Sequence, residues 1–202
     1  GIWLIYTELN NSAVLNILKN TNGYVYKTKM KQYRGVIVSL AVSDTYKLTV
    51  IGTNDGALII GSITSEMFIK IINLKKIPLK LLITEGWGFI VVYSMSSEQS
   101  KEPYSIDVYT VNGQFVNSMN FKTPIDSWFT IKSRNGFDFL CLIQGSKVFY
   151  YEVYFLKCLF DFRCYNALID LTYSESLGAF CAIYRNGMVQ LQSIDFDDLR
   201  VY

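Results

Sequence analysis

Residues 48–60, LTVIGTNDGALII, contain the pattern that decides the fold: two short apolar runs separated by a turn. Leu48–Gly52 and Ala57–Ile60 are short and rich in β-branched residues, which favours strands over helices. The Asn-Asp-Gly segment 54–56 consists of residue types that accept positive φ, so the chain can reverse tightly there. The stretch therefore predicts a β-hairpin.

The same hairpin pattern recurs along the chain, each time after an apolar opening strand. Successive opening strands begin about 42 to 46 residues apart, a spacing typical of propeller blades. The predicted opening strands are Ile37–Ser43, Leu79–Thr84, Ile125–Thr130 and Leu168–Thr172. Second strands are predicted at Leu48–Gly52, Phe89–Tyr93, Phe137–Leu142 and Ala179–Tyr184. Third strands are predicted at Ala57–Ile60, Lys147–Tyr150 and Met188–Leu191, and fourth strands at Phe68–Ile72, Phe115–Phe121 and Cys158–Phe162. Four strands per repeat predict an all-β fold, a β-propeller.

The repeat divides the chain into about four and a half blades. Three runs upstream of the first full unit are predicted as the last three strands of an earlier blade: Ile2 to Thr7, Ala13 to Leu18 and Tyr24 to Thr28. The predicted blades cover residues 1–35, 36–74, 75–121, 122–163 and 164–202. Because the chain starts in mid-pattern at Gly1, we expect it to be part of a larger propeller. The polar segment Met95–Pro103 is expected to be an exposed loop.

Composition and charge indicate which partners the chain is suited to bind. The 202 residues are 50% hydrophobic, which supports a sizeable buried core. The 19 basic and 17 acidic residues give a net charge of +2, too little for a surface dedicated to nucleic acid. No apolar run reaches the roughly 20 residues of a transmembrane segment, and the N-terminus lacks the features of a secretory leader. These observations predict a cytoplasmic protein that binds proteins or peptides through propeller loops.

The sequence contains no histidine, which removes the Ser-His-Asp triad, the Cys-His pair and histidine-containing zinc sites. The four cysteines lie in or beside apolar stretches without a Cys-x-x-Cys pair, which predicts buried free thiols rather than zinc ligands. They are Cys141, Cys158, Cys164 and Cys181. No glycine-rich phosphate loop is present in the sequence. The prediction is therefore no catalytic residue, no metal and no cofactor.

The alternative hypothesis, that the chain is an enzyme, rests on its carboxylates. A propeller enzyme of the glycosidase or lactonase type would use carboxylates around the central axis. The candidates are Glu85, Asp107, Asp126 and Asp170, whose separation the sequence leaves open. Asp126 and Asp170 are instead expected to satisfy backbone groups of loops near the blade entries. A third hypothesis is another all-β scaffold, such as a sandwich whose strand spacing coincides with the repeat.

Two segments concentrate a single kind of side chain. Lys75–Lys80 is a compact basic cluster, interpreted as a solvated connection between blades rather than a phosphate or anionic-lipid contact. Phe149–Phe155 is strongly aromatic but lacks interleaved basic residues. It is interpreted as a strand packed between neighbouring blades rather than a platform for nucleic-acid bases.

Two stretches resemble known propellers. Ser43–Leu58 resembles the second-strand and hairpin signature of WD repeats, with Asp55 and Gly56 in the turn. The Trp-Asp and Gly-His pairs of regular WD repeats are absent, so the side-chain network of those repeats is not carried over. Asp55 is interpreted as a turn residue.

A narrower resemblance concerns Glu85–Tyr93 followed by Tyr109–Gln114. These motifs resemble the divergent C-terminal propeller of BEACH-domain proteins, over most of residues 36–196. The resemblance implies a large cytoplasmic scaffold in vesicle or membrane trafficking, associated peripherally with membranes through its parent protein. It also implies a BEACH domain upstream of Gly1. The predicted function is a protein-interaction scaffold without catalysis.

Overall fold

The strands form five antiparallel sheets that follow one another along the chain. The computed structural model describes residues 2–7, 15–21, 24–29, 35–65, 67–96, 100–133, 136–164, 168–174 and 177–193. Sheet I contains β1 Ile2–Thr7, β2 Leu15–Thr21 and β3 Tyr24–Lys29. Sheet II contains β4 Ile37–Ser43, β5 Leu48–Thr53, β6 Ala57–Ser62 and β7 Met67–Asn73. Sheet III contains β8 Ile77–Ile83, β9 Ile90–Met95, β10 Tyr104–Tyr109 and β11 Phe115–Phe121.

The remaining two sheets complete the series. Sheet IV contains β12 Ser127–Lys132, β13 Asp138–Gln144, β14 Lys147–Glu152 and β15 Lys157–Arg163. Sheet V contains β16 Leu168–Ser174, β17 Ala179–Tyr184 and β18 Val189–Ser193. Each sheet is a meander, in which every strand pairs antiparallel with the next strand along the chain. The all-β prediction is confirmed, and sheets II to IV have the predicted four strands. Within the described ranges, no helix combines the length and hydropathy needed to span a membrane.

The opening strand of sheet III differs from its predicted limits. β8 begins at Ile77 rather than Leu79, so it includes Pro78. A proline donates no backbone hydrogen bond, but β8 is an edge strand and its register with β9 shifts next to Pro78. The Pro78 carbonyl accepts a 2.5 Å hydrogen bond from Ser39 Oγ of sheet II.

Other strand limits also differ from the prediction. β12 begins at Ser127 instead of Ile125, and Phe137 lies in the loop before β13 rather than in the strand. The third strand of sheet III, β10, was predicted only by the count of four strands per repeat, without residue limits. The polar loop before it begins at Ser96, and its described residues 100–102 are exposed, as expected. Residues 97–99 of that loop, and residues 13–14 of a predicted N-terminal strand, lie outside the described ranges.

The hydrophobic core lies between successive sheets. The buried side chains between sheets II and III are Leu48, Val50, Leu58, Ile60, Leu81, Ile83, Ile90, Val92 and Tyr109. Equivalent clusters join sheet III to IV and sheet IV to V. Full burial of one such side chain contributes roughly 1.5–3 kcal/mol. The middle strands β5, β9 and β13 are covered on both faces, which explains why they are continuous apolar runs.

The hairpin that predicted the fold has the expected turn. Gly56 has a φ of +82°, a conformation that side chains with a Cβ rarely adopt. Thr53 Oγ1 donates to Asp55 Oδ1 and accepts a 3.1 Å hydrogen bond from the Ala57 N–H. Asp55 is therefore a turn residue, as interpreted.

The four cysteines are free thiols, but only two of them are buried as predicted. Cys141 and Cys164 are buried, Cys181 is half-buried and Cys158 is exposed on the outer strand β15. The outer strand has no further strand of its own sheet beside it, which explains the exposure of Cys158. Burial raises the pKa of the Cys141 thiol from 9.0 to about 12, and burial raises the pKa of Tyr109 from 10.0 to about 12.

These two raised pKa values predict a loss of stability in alkali. Above pH 9.0 the unfolded chain releases the Cys141 proton while the folded chain retains it up to about pH 12, so the free energy of unfolding falls with rising pH. The Cys141 thiol alone contributes a decrease on the order of 4 kcal/mol across this window. Urea titrations in a reducing buffer over this pH range measure it. Cys141→Ala should reduce the pH dependence to the part contributed by Tyr109, and Cys158→Ala should retain most of it. A level profile for the wild type contradicts the prediction.

Candidate aromatic cleft

Three loops carry exposed aromatic side chains toward the boundary between sheets III and IV. They are the β8–β9 loop, the β12–β13 loop and the β14–β15 turn. Each of these connections joins either strands one and two or strands three and four of its sheet. In an antiparallel meander, these two connections lie at the same end of the sheet. The loops that can hold a ligand are therefore collected at one rim.

The aromatic rings form an unbroken series of neighbours. Ring centroids are 6.0 Å apart between Phe137 and Trp87, 6.3 Å between Trp87 and Phe89, and 5.8 Å between Phe89 and Tyr154. The series ends with Phe155, 4.8 Å from Tyr154. Trp87 is 58% exposed and Phe155 is 62% exposed. We call this series of five residues the aromatic cleft.

Asp138 anchors the β8–β9 loop. It is the first residue of β13 and is only 4% exposed. Its carboxylate accepts hydrogen bonds from Thr84 Oγ1 at 2.7 Å, the Gly86 N–H at 2.9 Å and the Trp87 N–H at 2.6 Å. Bonds to a charged acceptor are the stronger kind, so sheet IV holds Trp87 in place through its backbone.

Glycine is required next to Trp87 because the two sheets approach closely there. A Cβ on Gly86 would lie 2.5 Å from the Gly136 carbonyl oxygen and 2.6 Å from Asp138 Oδ1. Gly88 has a φ of +74°, and a Cβ there would meet the Tyr46 ring at 2.8 Å. The two glycines that flank Trp87 therefore allow its loop to pass between sheets II and IV.

Glu152 anchors the β14–β15 turn in the same way. It is the last residue of β14 and is 7% exposed. Its two carboxylate oxygens accept hydrogen bonds from the backbone N–H groups of Tyr154 at 2.8 Å and Phe155 at 2.6 Å. The turn is also held by Asn117 Nδ2, which donates a 2.9 Å hydrogen bond to the Phe155 carbonyl.

The aromatic cleft encloses a cavity of about 210 Å³, lined by its five rings together with Asp138 and Glu152. Among the described residues, neither carboxylate forms an ion pair with a lysine or arginine. The cavity thus combines aromatic faces with two negative charges close behind them. Such a site can bind an apolar or cationic group.

The predicted catalytic candidate Glu85 instead links sheet III to sheet II. Its carboxylate accepts a 3.2 Å hydrogen bond from Ser43 Oγ and another from Thr45 Oγ1. Tyr46 Oη donates to the Gly86 carbonyl at 2.6 Å. The β8–β9 loop is therefore fastened from sheet II on one side and from sheet IV on the other.

The other three carboxylates are each held by different groups. Asp107 is buried and accepts hydrogen bonds from Ser105 Oγ at 3.0 Å and Ser118 Oγ at 2.5 Å. Asp126 accepts from the Gly145 N–H at 2.6 Å, and Asp170 from the Leu171 N–H at 2.9 Å. Asp126 thus satisfies a backbone group of a turn, as expected, whereas Asp170 lies within β16 and bonds the next residue of that strand instead of a loop. Within the described ranges the four candidates share no hydrogen-bond partner, so the structure does not support a shared site of axial carboxylates.

The basic and aromatic segments differ in part from their interpretation. Lys76 is not simply solvated, because its Nζ donates a 2.8 Å hydrogen bond to Ser105 Oγ and lies 4.0 Å from Asp107. In the aromatic segment Tyr150 is buried between sheets as expected, whereas Tyr154 and Phe155 are exposed. The strand ends at Glu152, so the last two rings lie on a turn and were wrongly placed in the core.

The aromatic cleft was not predicted from the sequence. Its members are separated by up to 68 positions, from Trp87 to Phe155, and the pairing of sheets III and IV brings them together. A large aromatic residue flanked by glycines, such as Trp87, was the one local indication of an exposed ring. In the described part of the chain, no group of three or more cysteine, aspartate or glutamate side chains could hold a metal ion.

Comparison with known proteins identifies the fold. No family model and no curated protein matches the chain. BamB from Moraxella catarrhalis is similar at 13% identity with a TM-score of 0.58, over 98% of this chain and 58% of that chain. The WD40 β-propeller domain of Doa1 is similar at 12% identity with a TM-score of 0.59, over 94% of this chain and 62% of that chain. Hydrazine synthase from Kuenenia stuttgartiensis is similar at 14% identity with a TM-score of 0.59, over 85% of this chain and 49% of that chain.

The chain spans less than two thirds of each of these proteins. At such low identities the likeness shows the fold and nothing more. Together with the repeated four-stranded sheets, it confirms the predicted β-propeller fold and not the sandwich. Because one of the three similar proteins is named as a synthase, the fold alone does not decide between binding and catalysis.

Proposed function

We propose that this chain is a protein-interaction scaffold that catalyses nothing and binds a segment of a partner protein in the aromatic cleft. The observation that carries the proposal is the series of five rings, four of them exposed, on loops held by buried carboxylates. Exposed Trp and Tyr in preorganised pockets are the residues that contribute most to protein interfaces. Because Asp138 and Glu152 already order these loops, binding costs little conformational entropy.

The finer part of the proposal follows from the resemblance of Glu85–Tyr93 to BEACH-type propellers. In that role the chain belongs to a larger propeller of a cytoplasmic scaffold that acts in vesicle or membrane trafficking and associates peripherally with membranes. The blade limits 1–35, 36–74, 75–121, 122–163 and 164–202 belong to this proposal. The loop that carries Trp87 lies within the resembling motif, which connects the proposed site to the proposed family.

A peptide selection tests the binding function. Peptides selected from a random phage-displayed library on the wild-type chain are measured by fluorescence anisotropy against Trp87→Ala and Phe155→Ala. We expect each substitution to weaken binding by about 30-fold, the effect of losing an interface hot spot of about 2 kcal/mol. Phe115→Ala is the matched control, because Phe115 is 60% exposed but lies on the outer strand β11.

The comparison of affinities shows whether the selected peptides bind in the aromatic cleft. Circular dichroism and thermal unfolding first verify that the variants retain the wild-type fold. Equal affinities of the selected peptides for the wild type, Trp87→Ala and Phe155→Ala would overturn the aromatic cleft as the binding site.

A further inference from the structure

The structure points to a quaternary ammonium group as the occupant of the aromatic cleft, and we propose that a trimethyllysine side chain of the partner segment supplies it. This inference rests on the proposed function, because it names the chemistry of the partner that the cleft binds. Size, ring character, charge and the lack of available acceptors each contribute to it.

The size of the cleft suits the end of one side chain. Its volume of about 210 Å³ is below the roughly 300–1,000 Å³ of pockets that take drug-sized ligands. The rings of one Trp, three Phe and one Tyr line it. The faces of such rings attract cations, most strongly those of Trp, and the attraction increases where water is excluded.

The charges of the cleft are complementary to a cation. Asp138 and Glu152 line the cavity, and among the residues that the structure describes no lysine or arginine lines it. Lys157 lies opposite Glu152 in the β14–β15 register, but it is exposed and does not line the cleft. Two buried negative charges behind aromatic walls therefore favour a positively charged occupant over a neutral one of the same shape.

The hydrogen bonds of the two carboxylates favour methylated ammonium over lysine or arginine. Every oxygen of Asp138 and Glu152 already accepts at least one hydrogen bond from the protein, and both side chains are nearly fully buried. An unmodified ammonium would bring three N–H donors, and a guanidinium five, into a cavity with few exposed acceptors. Donors left unpaired there cost free energy. A trimethylammonium group has no donor to satisfy.

The same charges favour a protein source over a choline lipid. In a phosphocholine headgroup an anionic phosphate lies close to the ammonium. That phosphate would meet the negative field of Asp138 and Glu152, and the described part of the lining contains no cation to offset it. A lysine side chain instead reaches its ammonium through four apolar methylenes, which can pack along the rings.

The test compares three forms of one synthetic peptide, in which alanine and serine residues surround a central lysine. The central side chain is unmodified lysine, trimethyllysine or the neutral carbon analogue with a tert-butyl end. We expect trimethyllysine to bind about tenfold more tightly than either other form, because only it combines charge with the absence of donors. Trp87→Ala should abolish this preference, and Phe115→Ala should retain it.

A variant that removes one negative charge distinguishes electrostatic attraction of the ligand from the fit of its shape. Glu152→Gln keeps the length of the side chain and removes one negative charge, so the trimethyllysine peptide should lose several-fold in affinity and the neutral analogue should not. Thermal unfolding of Glu152→Gln checks that the turn remains folded. If Glu152→Gln is unstable, the ratio of trimethyllysine to neutral-analogue affinity in the wild type decides the question alone.

Each other result overturns the inference. Equal binding of the neutral analogue would show a purely apolar pocket, and equal binding of unmodified lysine would show no preference for methylation. Trp87-dependent binding of phosphatidylcholine vesicles without peptide binding would assign the cleft to lipid. If the trimethyllysine peptide fails while library peptides still bind through Phe155, the proposed function stands and only this inference falls.

Discussion

Tyr150→Ala is expected to lower the free energy of unfolding by about 4 kcal/mol, the cost of truncating a large, fully enclosed aromatic side chain. Tyr150 has no exposed surface, and its ring lies 4.3 Å from that of Phe160 within sheet IV. Its ring also lies 5.3 Å, edge to face, from that of Phe180 in sheet V. Alanine would leave a cavity between the two sheets that neighbouring rings cannot fill. Urea denaturation followed by circular dichroism measures the loss.

Two further variants show whether the loss of stability comes from the buried position of the Tyr150 ring. Tyr154→Ala removes the same side chain from an exposed turn and should cost less than about 1 kcal/mol. Tyr150→Phe keeps the ring and should cost about 1 kcal/mol, because only the hydroxyl is lost. If Tyr150→Ala and Tyr154→Ala destabilise the chain equally, sheets IV and V do not share the core described above.

The strands could be predicted because their causes are local. β5 and β6 are bounded by a turn in which Gly56 adopts positive φ, and a few adjacent residues contain that information. The residue limits of β10 were missed because a polar loop precedes this strand and displaces it from the regular spacing of the repeat. The start of β8 was missed because Pro78 is compatible with an edge strand, and edge position is a property of the whole sheet.

The aromatic cleft could not be predicted because its cause is not local. Asp138 and Trp87 are 51 positions apart, and their hydrogen bond exists only because sheets III and IV stack. Nothing in the sequence around Asp138 distinguishes it from Asp126, which satisfies a nearby turn. For the same reason Glu85 was considered as a catalytic acid, although it links two sheets. A carboxylate acquires its role from the donors that the fold brings to it.

The largest polar effect is expected for Asp138→Ala, which should lower the free energy of unfolding by about 4 kcal/mol. The substitution leaves three donors without their acceptor: Thr84 Oγ1 and the N–H groups of Gly86 and Trp87. Hydrogen bonds to a charged group contribute about 1.5–3 kcal/mol each, and some of the freed donors will find water near the rim. Asp138→Asn retains one acceptor oxygen and should lose roughly half as much.

Peptide binding to Asp138→Ala should show whether Asp138 also positions Trp87 for binding or only stabilises the fold. At temperatures where Asp138→Ala is still folded, loss of the Trp87 anchor should weaken binding of the selected peptides about tenfold, since the ring is no longer preorganised. Asp161→Ala is the control, because Asp161 is exposed on the outer strand and its loss should change stability by less than about 0.5 kcal/mol. Unchanged peptide affinity in folded Asp138→Ala would show that Trp87 holds its position without Asp138, and that the buried carboxylate stabilises the propeller but does not shape the aromatic cleft.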